Sequence, residues 1–465
     1  MTSSQGFDLI VIGAGPGGYS AAVRGAQLGL KVACVEKEPR LGGVCLNVGC
    51  IPSKALLDSS EYFHLAKTSF AEHGIKPGRV TLDLEAMMAR KQKVVEDLTR
   101  QVQQLLDRHN IETIRGSARL SAPDSVSVAL TDGGTRDITA KAVIIATGST
   151  PVAVPGLDFD GKMIVSSTEA LSFDTVPKHL GVVGGGYIGL ELGSVWRRLG
   201  AKVTVVEMLP KIGTGLDGQV GRTLQRTLKR QGLEFKLNSR VTEAQVMGKK
   251  VKITIAADDK QESLSVDRLM VSVGRRPLTD GLGLDDLGLA RDEKNGHIIV
   301  DETYRTNVAG VYAIGDLIAG PMLAHKASAE GIAAAEAIAG KPGDVNYDSI
   351  PSIIYTWPEV ACVGLTEEQV KEREIPYDAS TFPFAGVGRA RCLGEASGFV
   401  KLISQAKSGR ILGVHIIGPR ASDIIAECGL AMALGAGVED IAGTVHGHPT
   451  FAEGLQEAAM AALHK

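Results

Sequence analysis

The chain has 465 residues, 44% of them apolar and 22% charged, with a formal net charge of −3 at pH 7. That length exceeds what one core supports and predicts three or four domains, while the near-neutral charge excludes nucleic acid or an anionic membrane surface as the main partner. Six cysteines in such a length do not make a disulfide scaffold, and no apolar run reaches the roughly 18 residues of a membrane span.

Met1-Thr2-Ser3-Ser4-Gln5-Gly6 has no basic region followed by an apolar leader stretch, which predicts a cytoplasmic protein, or a mitochondrial matrix protein if a transit peptide has been removed. The first element is a short apolar strand, Leu9-Ile10-Val11-Ile12. It runs into Gly13-Ala14-Gly15-Pro16-Gly17-Gly18, a helical stretch ending near Gly29, and the strand Lys31–Glu36. The whole unit recurs. Leu180–Val183 leads into Gly184-Gly185-Gly186-Tyr187-Ile188-Gly189, a helix ending near Gly200, and the strand Lys202–Glu207. The two copies share one offset of 171 residues (184 less 13, 207 less 36).

A lone Gly-x-Gly-x-x-Gly is weak evidence, because glycine turns are common. Here each has a strand before it, a helix after it and an acid closing the second strand. Gly13 and Gly184 permit the tight turn, Gly15 and Gly186 let a pyrophosphate approach the backbone, and Gly18 and Gly189 allow close helix–strand packing. The helix N-terminus then faces the anion. Glu36 and Glu207 are placed to accept hydrogen bonds from ribose hydroxyls. Two such folds imply two dinucleotides, most economically FAD and a nicotinamide. A carboxylate at the ribose 2′ position disfavours a 2′-phosphate, and the nearest downstream base to Glu207 is Lys211; this favours NAD over NADP.

Cys45 and Cys50 follow the first glycine turn, which assigns the flavin to that copy. An ideal helix would hold their Cα atoms about 8.7 Å apart, beyond the roughly 4.4–6.8 Å of a disulfide. Bridging them needs a distorted helix start, for which Gly49 gives freedom. Such disulfides are the reducible, catalytic ones; two unrelated buried thiols are the bland alternative. Cys34, Cys362, Cys392 and Cys428 are scattered. Further along, residues 61–110 read as helical, with apolar spacing through Leu98, Val102, Leu105 and Leu106. Residues 113–150 read as strands and turns ending in Val143–Gly148. The second copy closes near Leu269–Gly274, and an alanine-rich helix follows Val311–Asp316 through about Ala339. From Ile350 strands and helices alternate in what reads as a separate domain.

These residues resemble a family. Gly42-Gly43-Val44-Cys45-Leu46-Asn47-Val48-Gly49-Cys50-Ile51-Pro52-Ser53-Lys54 is similar to the active-site segment of the dihydrolipoamide dehydrogenases, a branch of the pyridine nucleotide–disulfide oxidoreductases. Ala146-Thr147-Gly148, Gly274-Arg275-Arg276-Pro277, Tyr312–Asp316, Leu323–Ala327 and His446–Glu453 match in family order over nearly the whole chain. Ser53 stands where glutathione reductases usually carry a second lysine, and the chain ends Ala461-Ala462-Leu463-His464-Lys465, without the cysteine pair that closes mercuric reductases. Phe451, Ala452 and Gly454 depart from the family pattern, while His448 and Glu453 keep their spacing.

The resemblance implies an α/β fold of two Rossmann-like dinucleotide-binding domains plus a C-terminal α+β dimerisation domain. The expected divisions are 1–149 (FAD), 150–274 (NAD), 275–345 (a central domain completing the FAD site) and 346–465 (the interface domain). It implies a flavin disulfide oxidoreductase that reoxidises protein-bound dihydrolipoamide with NAD⁺ and has no metal. Its partners would be the lipoyl domains of 2-oxo acid dehydrogenase or glycine cleavage complexes. The alternatives are a reductase for another disulfide and a non-catalytic dinucleotide-binding sensor.

In the same terms Cys45 is the interchange thiol and Cys50 the charge-transfer thiol, with a nearby helix N-terminus lowering the thiol pKa. On residues alone His446 and His448 are equal candidates for the base; the motif His-Pro-Thr-x-x-Glu selects His448, with Glu453 fixing its tautomer. The resemblance implies that His448 reaches the disulfide of the partner subunit, so that a homodimer shares its active sites. Lys54 and Glu191 are an expected ion pair beside the flavin, and Ile188 adjoins the nicotinamide. The flavin site is further assigned Lys37, Gly43, Val44, Gly116, Ala118, Thr147, Gly148, Ser149, Asp316 on the ribityl chain, Met322, Leu323, Ala324 and His325; the nicotinamide site takes Tyr187, Val241 and Gly274.

Overall fold

The computed structural model describes residues 6–258 and 260–463, so the stretch Met1–Gln5 of the leader reading and His464 and Lys465 of the C-terminal reading lie outside the described residues. Contacts divide the chain into two units. The first gathers the chain up to Leu56 with Asp83–Val152 and Gly274–Val345; the second gathers Leu57–Leu82, Ala153–Val273 and Asn346 onward.

In the first unit β1 (Gly6–Ile12), α1 (Pro16–Gln27), β2 (Val32–Glu36), α2 (Gly43–Val48), α3 (Cys50–Thr68), α4 (Leu84–Arg108), β3 (Glu112–Ala122), β4 (Ser125–Leu130) and β5 (Thr135–Ile145) follow in chain order, α3 running on past Leu56. β1 lies between β2 and β5, with Leu9 opposite both Val32 and Ala142 in parallel register. β3 joins β2, and the strand Val311–Ala313 joins β5, also in parallel. Every residue of β2 is buried, as in a parallel strand covered on both faces, and its Val-Ala-Cys-Val run is the sequence form of that burial. β3 and β5 overrun the parallel layer and pair antiparallel with β4.

The expectation of helix through 61–110 needs correction. α3 stops at Thr68 and α4 restarts at Leu84. Gly74 and Gly78 between them take φ of +75° and +70°, which glycine adopts freely, and Pro77 has no amide proton to continue a helix. Asp83 then starts α4 by accepting the N–H of Ala86 at 2.9 Å.

The second unit repeats the plan. Its parallel sheet runs Leu233–Lys236, Lys202–Val206, His179–Val183, Arg268–Val271, Ile164–Val165. A three-stranded antiparallel sheet, Arg240–Met247, Lys250–Ala257 and Lys260–Val266, stands where β4 and its neighbours stand in the first. The same unit carries a five-stranded antiparallel sheet in the order Ser352–Ile354, Glu359–Gly364, Ile411–Gly418, Phe399–Gln405, Tyr377–Pro383. The helices Ala421–Ala433 and Glu453–Leu463 pack on that sheet around Val400, Leu402, Ile416, Ile425 and Leu455. Among the described residues no helix is long and apolar enough to cross a membrane.

Two charges are fully buried in the first unit. Lys326 and Glu330, one turn apart in the helix Ala324–Ile338, are 1% and 0% exposed and lie 2.9 Å apart. Removing one partner of such a pair strands the other charge away from water. Lys326→Met is therefore expected to lower stability by about 3–5 kcal/mol, read as a fall in the urea midpoint of the FAD-saturated protein. A loss below about 1 kcal/mol would show that the pair is no more than a surface-like contact.

Candidate active site

The thiols sit where α2 breaks into α3. Gly49, with φ −141° and ψ −116°, ends α2, and a Cβ there would lie 2.8 Å from the carbonyl oxygen of Val44. The distortion expected between the cysteines is thus a helix break, with Cys50 opening α3. The pair is in its dithiol form, Cys45 half-buried and Cys50 exposed, with a hydrogen bond between the sulfurs. That hydrogen bond, then burial, then the charge of Cys50 push the Cys45 thiol up; the Lys54 ammonium opposes this. The expected lowering by a helix N-terminus therefore does not hold for Cys45. Cys45 stands in the first turn of α2, where the Cys50 contact and burial outweigh the helix N-terminus, and Cys50 opens α3.

The thiol segment is pinned to the first glycine turn. Gly42 N–H donates to Ala14 O at 2.8 Å, and a Cβ on Gly43 would lie 2.7 Å from the Cα of Gly15. Both turns have the same shape. Gly13 and Gly184 take φ of +103°, and a Cβ on Gly18 or Gly189 would come within 1.8 or 2.3 Å of the carbonyl oxygens of Gly13 or Gly184. Gly15 and Gly186 are the N-caps of α1 and of the helix Tyr187–Leu199. Neither helix has a side-chain cap or an acid in its first turn. Their first N–H groups are left for an anion, so the residues present fit a dinucleotide at each turn.

The strand-end acids, expected to face ribose hydroxyls, also brace their own turns. Glu36 accepts the N–H of Ala14 at 2.8 Å on one oxygen and of Glu38 at 2.9 Å on the other. Glu207 does the same with Gly185 at 2.6 Å and Leu209 at 2.8 Å. Each carboxylate thus holds its own glycine turn, and spare lone pairs remain for ribose hydroxyls.

The two histidines differ. His446 Nδ1 faces the carbonyl oxygen of Thr444 at 2.9 Å and Nε2 the Glu427 carboxylate at 2.8 Å, with the ring 4% exposed. Both ring nitrogens are thus engaged by fixed groups of the protein, and neither is presented to a substrate. His448 Nδ1 donates to Glu453 Oε1 at 2.7 Å, its ring is 78% exposed, and Nε2 is the nitrogen presented. The other Glu453 oxygen accepts Thr450 N–H at 2.8 Å. The His448 hydrogen bond first, and the Thr450 amide second, hold the Glu453 carboxyl below its ordinary pKa.

The remaining assigned residues fall as follows. In the first unit Lys54 is half-buried in α3, Lys37 follows β2 directly and Gly116 and Ala118 lie on β3. Thr147 donates to Leu278 O at 2.6 Å, and Gly148 has φ of +74°. Leu323 caps the helix that begins with Ala324 and His325; Met322 precedes it, half-buried. Val44 is 40% exposed on α2, and Gly274 takes φ of +136°. In the second unit Glu191 is buried and accepts the N–H of Tyr355 at 2.9 Å. Burial pushes the Tyr187 phenol up to about 12; Ile188 is its neighbour in the first helical turn. Val241 lies in the apolar core around the three-stranded sheet.

Residues 7–331 match the family model described as pyridine nucleotide-disulphide oxidoreductase, and residues 350–459 match that family's dimerisation domain. The chain belongs to the pyridine nucleotide-disulphide oxidoreductases. It is 50% identical over 459 residues to dihydrolipoyl dehydrogenase 3 of Pseudomonas aeruginosa, covering 98% of each chain. It is 48% identical to the mitochondrial dihydrolipoyl dehydrogenase of Pisum sativum, covering 98% of this chain and 92% of that one. It is 49% identical to a protein of Vigna unguiculata named leghemoglobin reductase, covering 100% and 90%. Among solved structures LpdA of Mycobacterium tuberculosis superposes with a TM-score of 0.90 at 25% identity, covering 97% and 99%. As a member of this oxidoreductase family the chain is a flavin disulfide oxidoreductase using FAD and NAD(H), and its dimerisation domain makes it a homodimer.

Within this family frame the structure adds two groups near the thiols that sequence reasoning missed. Tyr19, in α1, has its phenol pushed up by burial and then by the charges of Cys45 and Cys50. The Arg275 guanidinium is pushed down by burial and held up by the charges of Asp316 and Cys50. Tyr19 follows Gly18 directly and Arg275 lies in a family motif, but neither spacing points to a thiol.

Proposed function

We propose that the chain is a dihydrolipoyl dehydrogenase that oxidises lipoyl dithiols carried on the lipoyl domains of 2-oxo acid dehydrogenase or glycine cleavage assemblies. The observation that carries it is the Cys45–Cys50 dithiol, in mutual hydrogen-bond contact across the Gly49 break and anchored to the first glycine turn. The full-length likeness to dihydrolipoyl dehydrogenases supports it.

In the oxidised enzyme a substrate thiolate attacks the Cys45 sulfur, the Cys45–Cys50 bond breaks, and Cys50 leaves with the electron pair. The second substrate thiol loses its proton to His448 and attacks the substrate sulfur of the mixed disulfide. That expels Cys45 and completes the lipoamide ring. Held at the Gly13–Gly18 turn and Glu36, FAD would supply the two-electron acceptor for the dithiol and the hydride donor to NAD⁺. Glu453 orients His448 and stabilises it once protonated, and the protonated His448 gives its proton to the Cys45 thiolate as that sulfur is expelled. Lys54 and Glu191 are assigned to the flavin and nicotinamide sides, and His448 of the partner subunit to each thiol pair. Exposed Leu430, Leu434 and Val445 are assigned to the seam between copies.

The four divisions at 149, 274 and 345 remain our reading of which segment serves which cofactor. The compartment we assign is the cytoplasm or the mitochondrial matrix, as for the bacterial and mitochondrial relatives.

The test is oxidation of dihydrolipoamide by the purified holoenzyme with NAD⁺ and, in parallel, NADP⁺. Turnover with NAD⁺ is expected, with kcat/KM at least about tenfold lower for NADP⁺, because the Glu207 carboxylate repels a 2′-phosphate. Absence of NAD⁺-dependent turnover, or faster reduction of glutathione disulfide, would overturn the assignment.

A further inference from the structure

The sequence reading puts Ser149 among the groups that touch the cofactor and Asp316 on the ribityl chain of FAD. In the first unit the two are joined to each other. Ser149 Oγ donates to Asp316 Oδ2 at 2.5 Å. Arg275 Nε donates to the same Ser149 Oγ at 2.7 Å, and its Nη2 to the Ser149 carbonyl oxygen at 2.6 Å. A guanidinium only donates and a carboxylate only accepts, so the serine hydroxyl must receive from one and give to the other. Its proton has one direction. Ser149 itself is 3% exposed.

The frame around this chain is rigid. Arg275–Pro277 pairs antiparallel with Ser149–Pro151, with Pro277 opposite Ser149. The residue before Asp316 is held at both its amide N–H and its carbonyl oxygen. Gly315 N–H donates to Glu330 Oε2 at 2.8 Å, and Lys326 Nζ donates to Gly315 O at 3.2 Å. Gly315 has φ of +73°, a conformation that suits glycine. The buried Lys326–Glu330 pair, which no reaction step uses, thus fixes the backbone of Asp316, while Arg275 and Ser149 fix its side chain. A carboxylate left to rotate would have to be ordered when ligand binds, and that cost is removed beforehand.

We propose that Ser149 and Arg275 are positioning residues, whose hydrogen-bonded chain sets the direction of the Asp316 carboxylate and so the affinity for FAD. The Ser149 hydroxyl acts through Asp316. This deepens the dihydrolipoyl dehydrogenase reading and rests on its placement of FAD in the first unit.

The test is a double-mutant cycle on the holoenzyme, with FAD dissociation followed by the fluorescence of released flavin on dilution. Ser149→Ala is expected to weaken FAD binding by about tenfold or more, since it breaks a charge-assisted bond and orphans the Arg275 donor. Ser149→Thr, which keeps the hydroxyl, is expected to stay within about threefold of the parent. In an Asp316→Asn background Ser149→Ala is expected to add less than about threefold, because its effect is routed through the missing carboxylate. A full Ser149→Ala effect in that background, or none in the parent, overturns the proposal. If Ser149→Ala does not accumulate as folded protein, Arg275→Lys carries the same test: it keeps the cation and loses the fork, and unchanged FAD affinity refutes the positioning role. Parent protein that binds FAD and oxidises dihydrolipoamide leaves the functional reading standing whichever way the cycle falls.

Discussion

Replacing Cys45 with serine is expected to abolish dihydrolipoamide oxidation, by at least about 10³-fold in kcat, and to leave the protein yellow. Oxygen at this position forms no disulfide, so the mixed disulfide with substrate is never made and no electron pair reaches Cys50. FAD is assigned to other parts of the first unit: the Gly13–Gly18 turn, Glu36 and the residues proposed to fix Asp316. Steady-state turnover with NAD⁺ and the visible flavin spectrum measure the two halves of the prediction together. Turnover within about tenfold of the parent would contradict the role of Cys45 as nucleophile target. Loss of flavin would instead show that the α2 segment, which touches Gly15 through Gly43, is needed to hold the cofactor.

The second large effect concerns the two histidines. His448→Gln is expected to lower kcat by about 10²–10⁴, the usual worth of a positioned general base. His446→Gln is expected to cost less than about tenfold, because that ring's nitrogens are both engaged, with Thr444 and Glu427, and are unavailable for proton transfer. A larger loss at His446 than at His448 would reverse the assignment. Two histidines two residues apart carry the same promise in a sequence. Only their partners, one buried between acceptors and one exposed on Glu453, tell them apart.

That contrast marks how far the sequence could be read. The duplicated strand–turn–helix–strand was visible because its glycines are demanded by sterics: a Cβ at Gly18 or Gly189 collides with backbone, so the pattern recurs at a constant offset. The thiol pair was visible for a similar local reason. What escaped was non-local or cumulative. Arg275, Ser149 and Asp316 come together across 126 and 167 residues, and no window holds them all. Glu427 meets His446 from another helix, 19 residues earlier. The loop between α3 and α4 was missed because the apolar spacing on either side of Gly74–Gly78 resembled one continuous helix. The expected lowering of the thiol pKa is outweighed at Cys45 by its hydrogen bond to Cys50, by burial and by the Cys50 charge, none of which the spacing of the two residues reveals.

The strand-end acids have a consequence for attempts to change coenzyme. Glu207 grips Gly185 and Leu209, so it serves as a buckle beside its proposed role as selector. Exchanging it for a neutral or basic side chain to admit NADP⁺ would also unfasten the phosphate loop. A successful swap must restore an acceptor for those two amides from elsewhere, and the same holds for Glu36 in the flavin half.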